Sequence, residues 1–116
     1  MDYSKLSDFE INNLVAKVLL DDKSHWSTWV TNDGRSKVWF VDESKNNEPI
    51  LFNPCNNFSD AWPIILENKI TVDPIGEAWQ HKPHPDHYCY DDGVYNESLD
   101  KNPLRAAMIT FLKMNK

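Results

Sequence analysis

The spacing of apolar residues alternates between helical and strand-like along this chain of 116 residues, and that alternation constrains the fold most strongly. Near the start, Ser7 and Glu10 have the spacing of a capping box, in which each side chain satisfies a free amide at a helix N-terminus. Leu6 and Ile11 flank the box at the spacing of a hydrophobic staple. An apolar stripe with helical spacing follows and ends near Leu20, which predicts a first helix.

Alternating residues replace the helical spacing after position 25. Two β-favouring runs flank Asn32-Asp33-Gly34, a sequence typical of hairpin turns, and residues 50–52 predict a third strand. Farther along, residues 70–72 and 77–80 predict two short strands on either side of a turn at residues 73–76. Residues 81–100 have little periodicity and predict a loop, within which Tyr88–Tyr90 can form a short edge strand.

Two more helices are predicted from their caps. Asn57 or Ser59 can cap the second helix. Pro63 favours Ser59, because a proline in a helix interior removes a hydrogen bond, so the helix is expected over about residues 60–67. Asn102 followed by Pro103 predicts the start of the third helix, since a proline at the first helical position removes no hydrogen bond.

The element order predicts an α+β fold in which a mostly antiparallel sheet of four to six strands is covered by three helices. The chain is expected to be a single domain over residues 1–116, because this length suits one hydrophobic core. A net charge of −6 argues against direct binding of nucleic acid or of anionic membranes. No apolar run is long enough for a membrane span, and no secretory signal is recognised.

Three segments resemble the NinX-like family of small phage and prophage proteins. They are residues 1–12 (MDYSKLSDFEIN), residues 55–57 with 59–65 (CNN and SDAWPII) and residues 102–109 (NPLRAAMI). The family is largely a domain of unknown function, so the resemblance supplies no catalytic residues. It implies an accessory protein made in the cytoplasm of a bacterial host, and by analogy one that binds a host protein in counter-defence or host takeover.

Exposed tryptophans and acidic residues are the candidates for an interface. Trp26 and Trp29 fall on opposite faces of one predicted strand, so both cannot share the core. Trp79 lies beside the predicted acidic loop, which contains Asp91 and Asp92. Trp39 and Trp62 are assigned to the core. A large aromatic side chain in contact with water often anchors a protein–protein interface.

A polar group formed by Asn56, Asn57, Asp60, Trp62 and Arg105 is the candidate for a ligand pocket, with Asp60 expected to pair with Arg105. The preferred interpretation of this group is structural, because half-buried pairs of arginine and carboxylate usually hold segments together. A small-ligand-binding or sequestering protein with a pocket here is the first alternative function, and such a protein could form a homo-oligomer.

A second alternative is a metal-dependent enzyme that uses the donors His81, His84, His87 and Cys89. Their spacing matches no structural zinc class, and the intervening prolines favour an extended chain, so a solvated loop is preferred and no metal or cofactor is expected. Cys55 and Cys89 are not expected to be nucleophiles, since a thiolate needs an adjacent base. The leading hypothesis is therefore a non-catalytic protein that binds a host protein.

Overall fold

The computed structural model describes residues 2–21, 26–31, 37–42, 49–75, 86–91 and 96–115. Its helices are a short 3-10 helix at Tyr3–Lys5 and three α-helices, α1 at Asp8–Leu20, α2 at Phe58–Glu67 and α3 at Pro103–Met114. Six strands accompany them. They are β1 at Trp26–Thr31, β2 at Lys37–Asp42, β3 at Ile50–Phe52, β4 at Thr71–Ile75, β5 at Asp86–Tyr90 and β6 at Ser98–Asp100.

Within the described ranges, the strands form two antiparallel sheets of three strands each, in the orders β1-β2-β3 and β4-β5-β6. The α+β class is therefore confirmed, whereas the prediction of one sheet with four to six strands is wrong. The first sheet ends with β3, and the chain then enters helix α2 before it starts the second sheet. Helix α3 contacts all three strands of the second sheet, while α1 contacts β1 and β2 of the first sheet. Because α1 and α3 also contact each other, the two sheets pack on one common hydrophobic core, although their strands are not paired with each other in the described residues.

The first and third helices begin where their caps predict. The Ser7 side chain accepts a hydrogen bond from the Glu10 amide, and the Glu10 carboxylate accepts one from the Ser7 amide. At α3, the side chain of Asn102 accepts from the amides of Leu104 and Arg105. Both capping signals act within three residues, so the local sequence is enough to predict where these two helices begin.

Helix α2 starts earlier than predicted. Its N-cap is Asn57 rather than Ser59, so the helix includes Phe58 and Ser59, and Pro63 lies in its interior. Pro63 has no amide to donate to the carbonyl of Ser59, but both residues are exposed, so water can satisfy that carbonyl. Asn68 ends the helix as predicted.

The second sheet corrects two predictions. Residues 73–75 continue strand β4 instead of forming a turn, and Pro74 is tolerated there because β4 lies at an edge of its sheet. Residues 86–90 and 98–100 are strands rather than loop, and β5 is the central strand instead of an edge strand. The hairpin turn predicted at residues 32–34 and the strand predicted at residues 77–80 lie outside the described residues.

Candidate functional site

The side chain of Arg105 connects the N-terminal segment to the third helix. The Asn102 cap starts α3 and places Arg105 in its first turn. Its Nη1 atom lies 2.8 Å from Asp8 Oδ1, and its Nε atom lies 3.0 Å from Asp100 Oδ2. Its Nη2 atom donates to the carbonyl oxygens of Ser4 and Leu6. One guanidinium group therefore joins the start of the chain, helix α1 and strand β6.

The electrostatics of Arg105 suit a structural role. Its side chain is 11% exposed, and burial alone would disfavour its charge. The hydrogen bonds that Arg105 donates to Asp8 and Asp100, together with the negative charges of these carboxylates, outweigh that penalty, so the pKa of Arg105 is raised above its ordinary value. All three nitrogen atoms of the guanidinium donate to protein oxygens, which leaves it little capacity for a ligand.

An asparagine cluster continues this network. Asn53 Oδ1 accepts from the side-chain amides of Asn12 and Asn56, at 2.8 and 3.2 Å. The side-chain oxygen of buried Asn12 in turn accepts from the Cys55 amide, and Asn56 donates to Asp8. The segment between β3 and α2 is thus fixed to helix α1.

The structure brings only part of the predicted polar group together. Asn56 and Arg105 both donate hydrogen bonds to the carboxylate of Asp8. Asp60 does not pair with Arg105; its carboxylate instead accepts a hydrogen bond from the backbone amide of Asn53, at 2.9 Å. Asn57 caps helix α2. Trp62 is 42% exposed, so its assignment to the core is wrong.

A small cavity opens beside the asparagine cluster, with a volume of about 150 Å³. Apolar Phe9, Val38 and Phe52 line it together with the polar side chains of Asp8 and Asn56. Pockets that hold drug-sized ligands measure roughly 300–1,000 Å³. This cavity therefore accommodates a fragment or a single side chain rather than a larger small molecule.

The two cysteines are buried thiols. Burial, and then the nearby Asp8, raise the pKa of Cys55 to about 12, while burial, and then Asp100, raise the pKa of Cys89 to about 12. At neutral pH both are protonated, and a protonated thiol is a weak nucleophile.

The structure describes only part of the candidate metal-ligand set. Cys89 lies in the core, His87 belongs to strand β5, and His81 and His84 are outside the described residues. Where the structure describes the chain, no three residues of the types His, Cys, Asp and Glu cluster in a way that could hold a metal ion.

The most unusual surface is one side of helix α2. Phe58, Trp62 and Leu66 have exposed fractions of 58%, 42% and 57%, and they recur every four residues, so they lie on one side of the helix. The rings of Phe58 and Trp62 stack with centroids 5.2 Å apart. We call Phe58, Trp62 and Leu66 the α2 apolar face.

Sequence reasoning missed this surface because it assigned Trp62 to the core. The residues that α2 does bury are Ala61, Ile64 and Ile65. At 3.6 residues per turn, this buried stripe lies about 100° around the helix axis from the α2 apolar face. The sequence of α2 did contain a signal for this surface, because it places apolar residues on two sides of the helix. A helix that packs on a core needs only one apolar side.

The structure describes only part of the residues that the sequence predicted for an interface. Trp26 and Trp29 lie in β1, where their partners in the register are Asp42 and Trp39. The side chains of both tryptophans, as well as Trp79 and Asp92, lie outside the description. Asp91 is half-buried and accepts a hydrogen bond from Asn96 at 2.8 Å.

Comparison with known proteins identifies a family. None of the helices in the described segments has the length and apolar character of a membrane span. Searches of curated proteins and of solved structures found no match. A family model described as Bacteriophage P22, NinX matches residues 2–115. Since this match covers nearly the whole chain, and all of the three resembling segments except Met1, the chain belongs to the NinX family of phage proteins.

Proposed function

We propose that this chain is a non-catalytic phage accessory protein that binds a protein of the bacterial host through the α2 apolar face. The observation that carries the proposal is the exposure of Phe58, Trp62 and Leu66 on one side of one helix. Aromatic residues of this kind dominate binding energy at protein interfaces, because they bury a large apolar area with few rotatable bonds.

The charge of the molecule supports a protein as the partner. The net charge of −6 disfavours nucleic acid and anionic lipid, since both carry negative charge. The α2 apolar face itself contains no charged side chain, so its contact depends on shape and apolar area. Membership of a phage family supports a target in the cytoplasm of the host, where counter-defence or host takeover would operate.

The alternatives have weaker support. A small-ligand-binding protein would need a larger site than the cavity of about 150 Å³ next to Asn56. For a metal-dependent enzyme, the described residues contain no group of three His, Cys, Asp or Glu side chains that could hold a metal ion. Neither alternative accounts for the exposed aromatic residues of α2.

Affinity capture from host lysate at about 0.15 M salt tests the proposal. The immobilised wild-type chain is compared with Trp62→Ser and with Leu99→Ser. Leu99 is a matched control, because it is 51% exposed and lies on strand β6 rather than on α2. We expect the wild type and Leu99→Ser to capture the same host protein and Trp62→Ser to lose it.

Thermal melting of each variant establishes that it is folded, which is expected because both changes are at exposed positions. Capture of no host protein by the wild type would contradict the proposal. Equal capture by all three chains would also contradict it, since the contact would then not involve the α2 apolar face.

A further inference from the structure

The cavity beside the asparagine cluster has side-chain amides whose orientation is fixed. The Oδ1 atom of Asn12 accepts a hydrogen bond from the backbone amide of Cys55 at 3.1 Å. Because a backbone amide can only donate, the side-chain nitrogen of Asn12 is the atom that meets Asn53, at 2.8 Å. Asn53 must therefore present its Oδ1 atom to Asn12, and its Nδ2 atom is directed away from this contact.

The same reasoning fixes the side chain of Asn56. Its Nδ2 atom donates to Asp8 Oδ2 at 3.1 Å and to Asn53 Oδ1 at 3.2 Å, and both of these atoms are acceptors. Within the part of the chain that the structure describes, Asn53 Nδ2 and Asn56 Oδ1 make no hydrogen bond. Both residues line the cavity, so its wall offers one donor and one acceptor to a ligand.

The volume, the apolar walls and the charges limit the ligand further. Phe9, Leu51 and Phe52 contribute apolar walls. An engineered protein cavity of about 150 Å³ binds one molecule of benzene, so the volume of about 150 Å³ found here suits a single six-membered ring. Asp8 and Lys37 also line the cavity, and their opposite charges favour a neutral ligand over an ion.

We propose that this cavity binds a neutral, planar six-membered ring with an amide edge, of the kind found in a pyrimidine base. A carbonyl oxygen on that edge would accept from Asn53 Nδ2, the adjacent N–H group would donate to Asn56 Oδ1, and the ring would contact the apolar walls. The ring can be a free base or part of a nucleoside whose sugar stays in solvent. The site is separate from the α2 apolar face, so the inference does not rest on the proposed function.

Titration of the full chain with uracil, followed by NMR of the side-chain amides, tests the inference. Uracil has about eight non-hydrogen atoms, so we expect a dissociation constant of about 1 mM or lower, with a shift of the Asn53 side-chain signal. Pyrimidine has the same ring without an N–H or carbonyl group, and it should bind at least about tenfold more weakly. Uridine distinguishes the two sources: binding as strong as that of uracil assigns the base of a nucleoside, and loss of binding assigns the free base.

Variants locate the binding site. Leu51→Trp should abolish uracil binding, because Leu51 lines the cavity. Ile50→Trp is the matched control and should bind like the wild type, since Ile50 is 57% exposed and its side chain points to the opposite face of strand β3. Asn56→Ala should raise the dissociation constant about five- to tenfold by removing the acceptor. Trp62→Ser should leave uracil binding unchanged.

Three results would overturn the inference. The first is no saturable binding of uracil by the folded wild type up to about 20 mM. The second is equal binding of uracil and pyrimidine, which would exclude the amide contacts. The third is unchanged binding by Leu51→Trp or by Asn56→Ala, which would place the ligand elsewhere. Thermal melting establishes that each variant is folded, and Asn56→Ala, at an exposed position, keeps the test valid if Leu51→Trp does not fold. Host capture remains a separate readout for the proposed function.

Discussion

Replacing Arg105 with methionine should destabilise the fold by about 3 kcal/mol. Methionine retains the apolar stem but removes the side-chain hydrogen bonds to Asp8, Asp100, Ser4 and Leu6. Hydrogen bonds to charged groups contribute about 1.5–3 kcal/mol, and loss of one partner from a buried ion pair costs about 3–5 kcal/mol. The carboxylates of Asp8 and Asp100 are 42% and 22% exposed, so water rehydrates them in part. The expected loss therefore lies at the lower end of that range.

Urea denaturation measures the effect as a lower midpoint with an unchanged slope. Lys17→Met is the matched control, because it removes one positive charge at an exposed position of α1 and should change stability by less than about 0.5 kcal/mol. The contribution of each contact follows from double-mutant cycles with Asp8→Asn and Asp100→Asn. A loss below about 1 kcal/mol for Arg105→Met, or a loss equal to that of Lys17→Met, would refute the assignment of Arg105 as a structural connection between the N-terminal segment, α1 and α3.

Three further predictions concern the caps and the thiols. Asn57→Ala should cost about 1 kcal/mol in a chemical melt and Ser59→Ala almost nothing, because Asn57 is the N-cap of α2; the opposite order would contradict that assignment. Lys69→Gly should raise the free energy of unfolding by about 0.5–1 kcal/mol, since the φ angle of Lys69 is 54° and favours glycine; no gain would argue against that conformation. Cys55 and Cys89 keep their protons in the folded state up to a pH of about 12, but lose them near their ordinary value of 9.0 when unfolded. Stability should therefore fall as the pH rises above 9.0, and a Cys55→Ala/Cys89→Ala variant should show a shallower decline; parallel pH profiles would exclude this cause.

Local signals in the sequence predicted much of the secondary structure. The Ser7 box and the Asn102-Pro103 start specify their helices because each acts through amides within three residues. The alternating residues of β1, the apolar run of β2 and the turn signal between them predicted a pair of strands, and these strands are paired in the structure. Membership of the NinX family was also predictable, since the matching segments are distributed along the chain.

Long-range contacts were not predictable in the same way. Asp8 and Arg105 are separated by 97 positions, and nothing local distinguishes Asp8 from Asp60 as the partner of Arg105. Trp62 and Ile65 are equally apolar in sequence, yet only Ile65 is buried, because the orientation of α2 against α3 determines which side meets the core. The split into two sheets likewise depends on how α1 and α3 pack together.

The hydrogen bonds of Arg105 to the carbonyls of Ser4 and Leu6 span 101 and 99 positions, and this separation affects how the protein is made. Since translation runs from the N-terminus, the early residues leave the ribosome long before helix α3 can meet them. A nascent chain that lacks α3 also lacks the buried residues from Ala106 to Leu112. Maturation is therefore expected to occur after translation of α3, and a prematurely released fragment is expected to be degraded by host proteases rather than to retain partial activity.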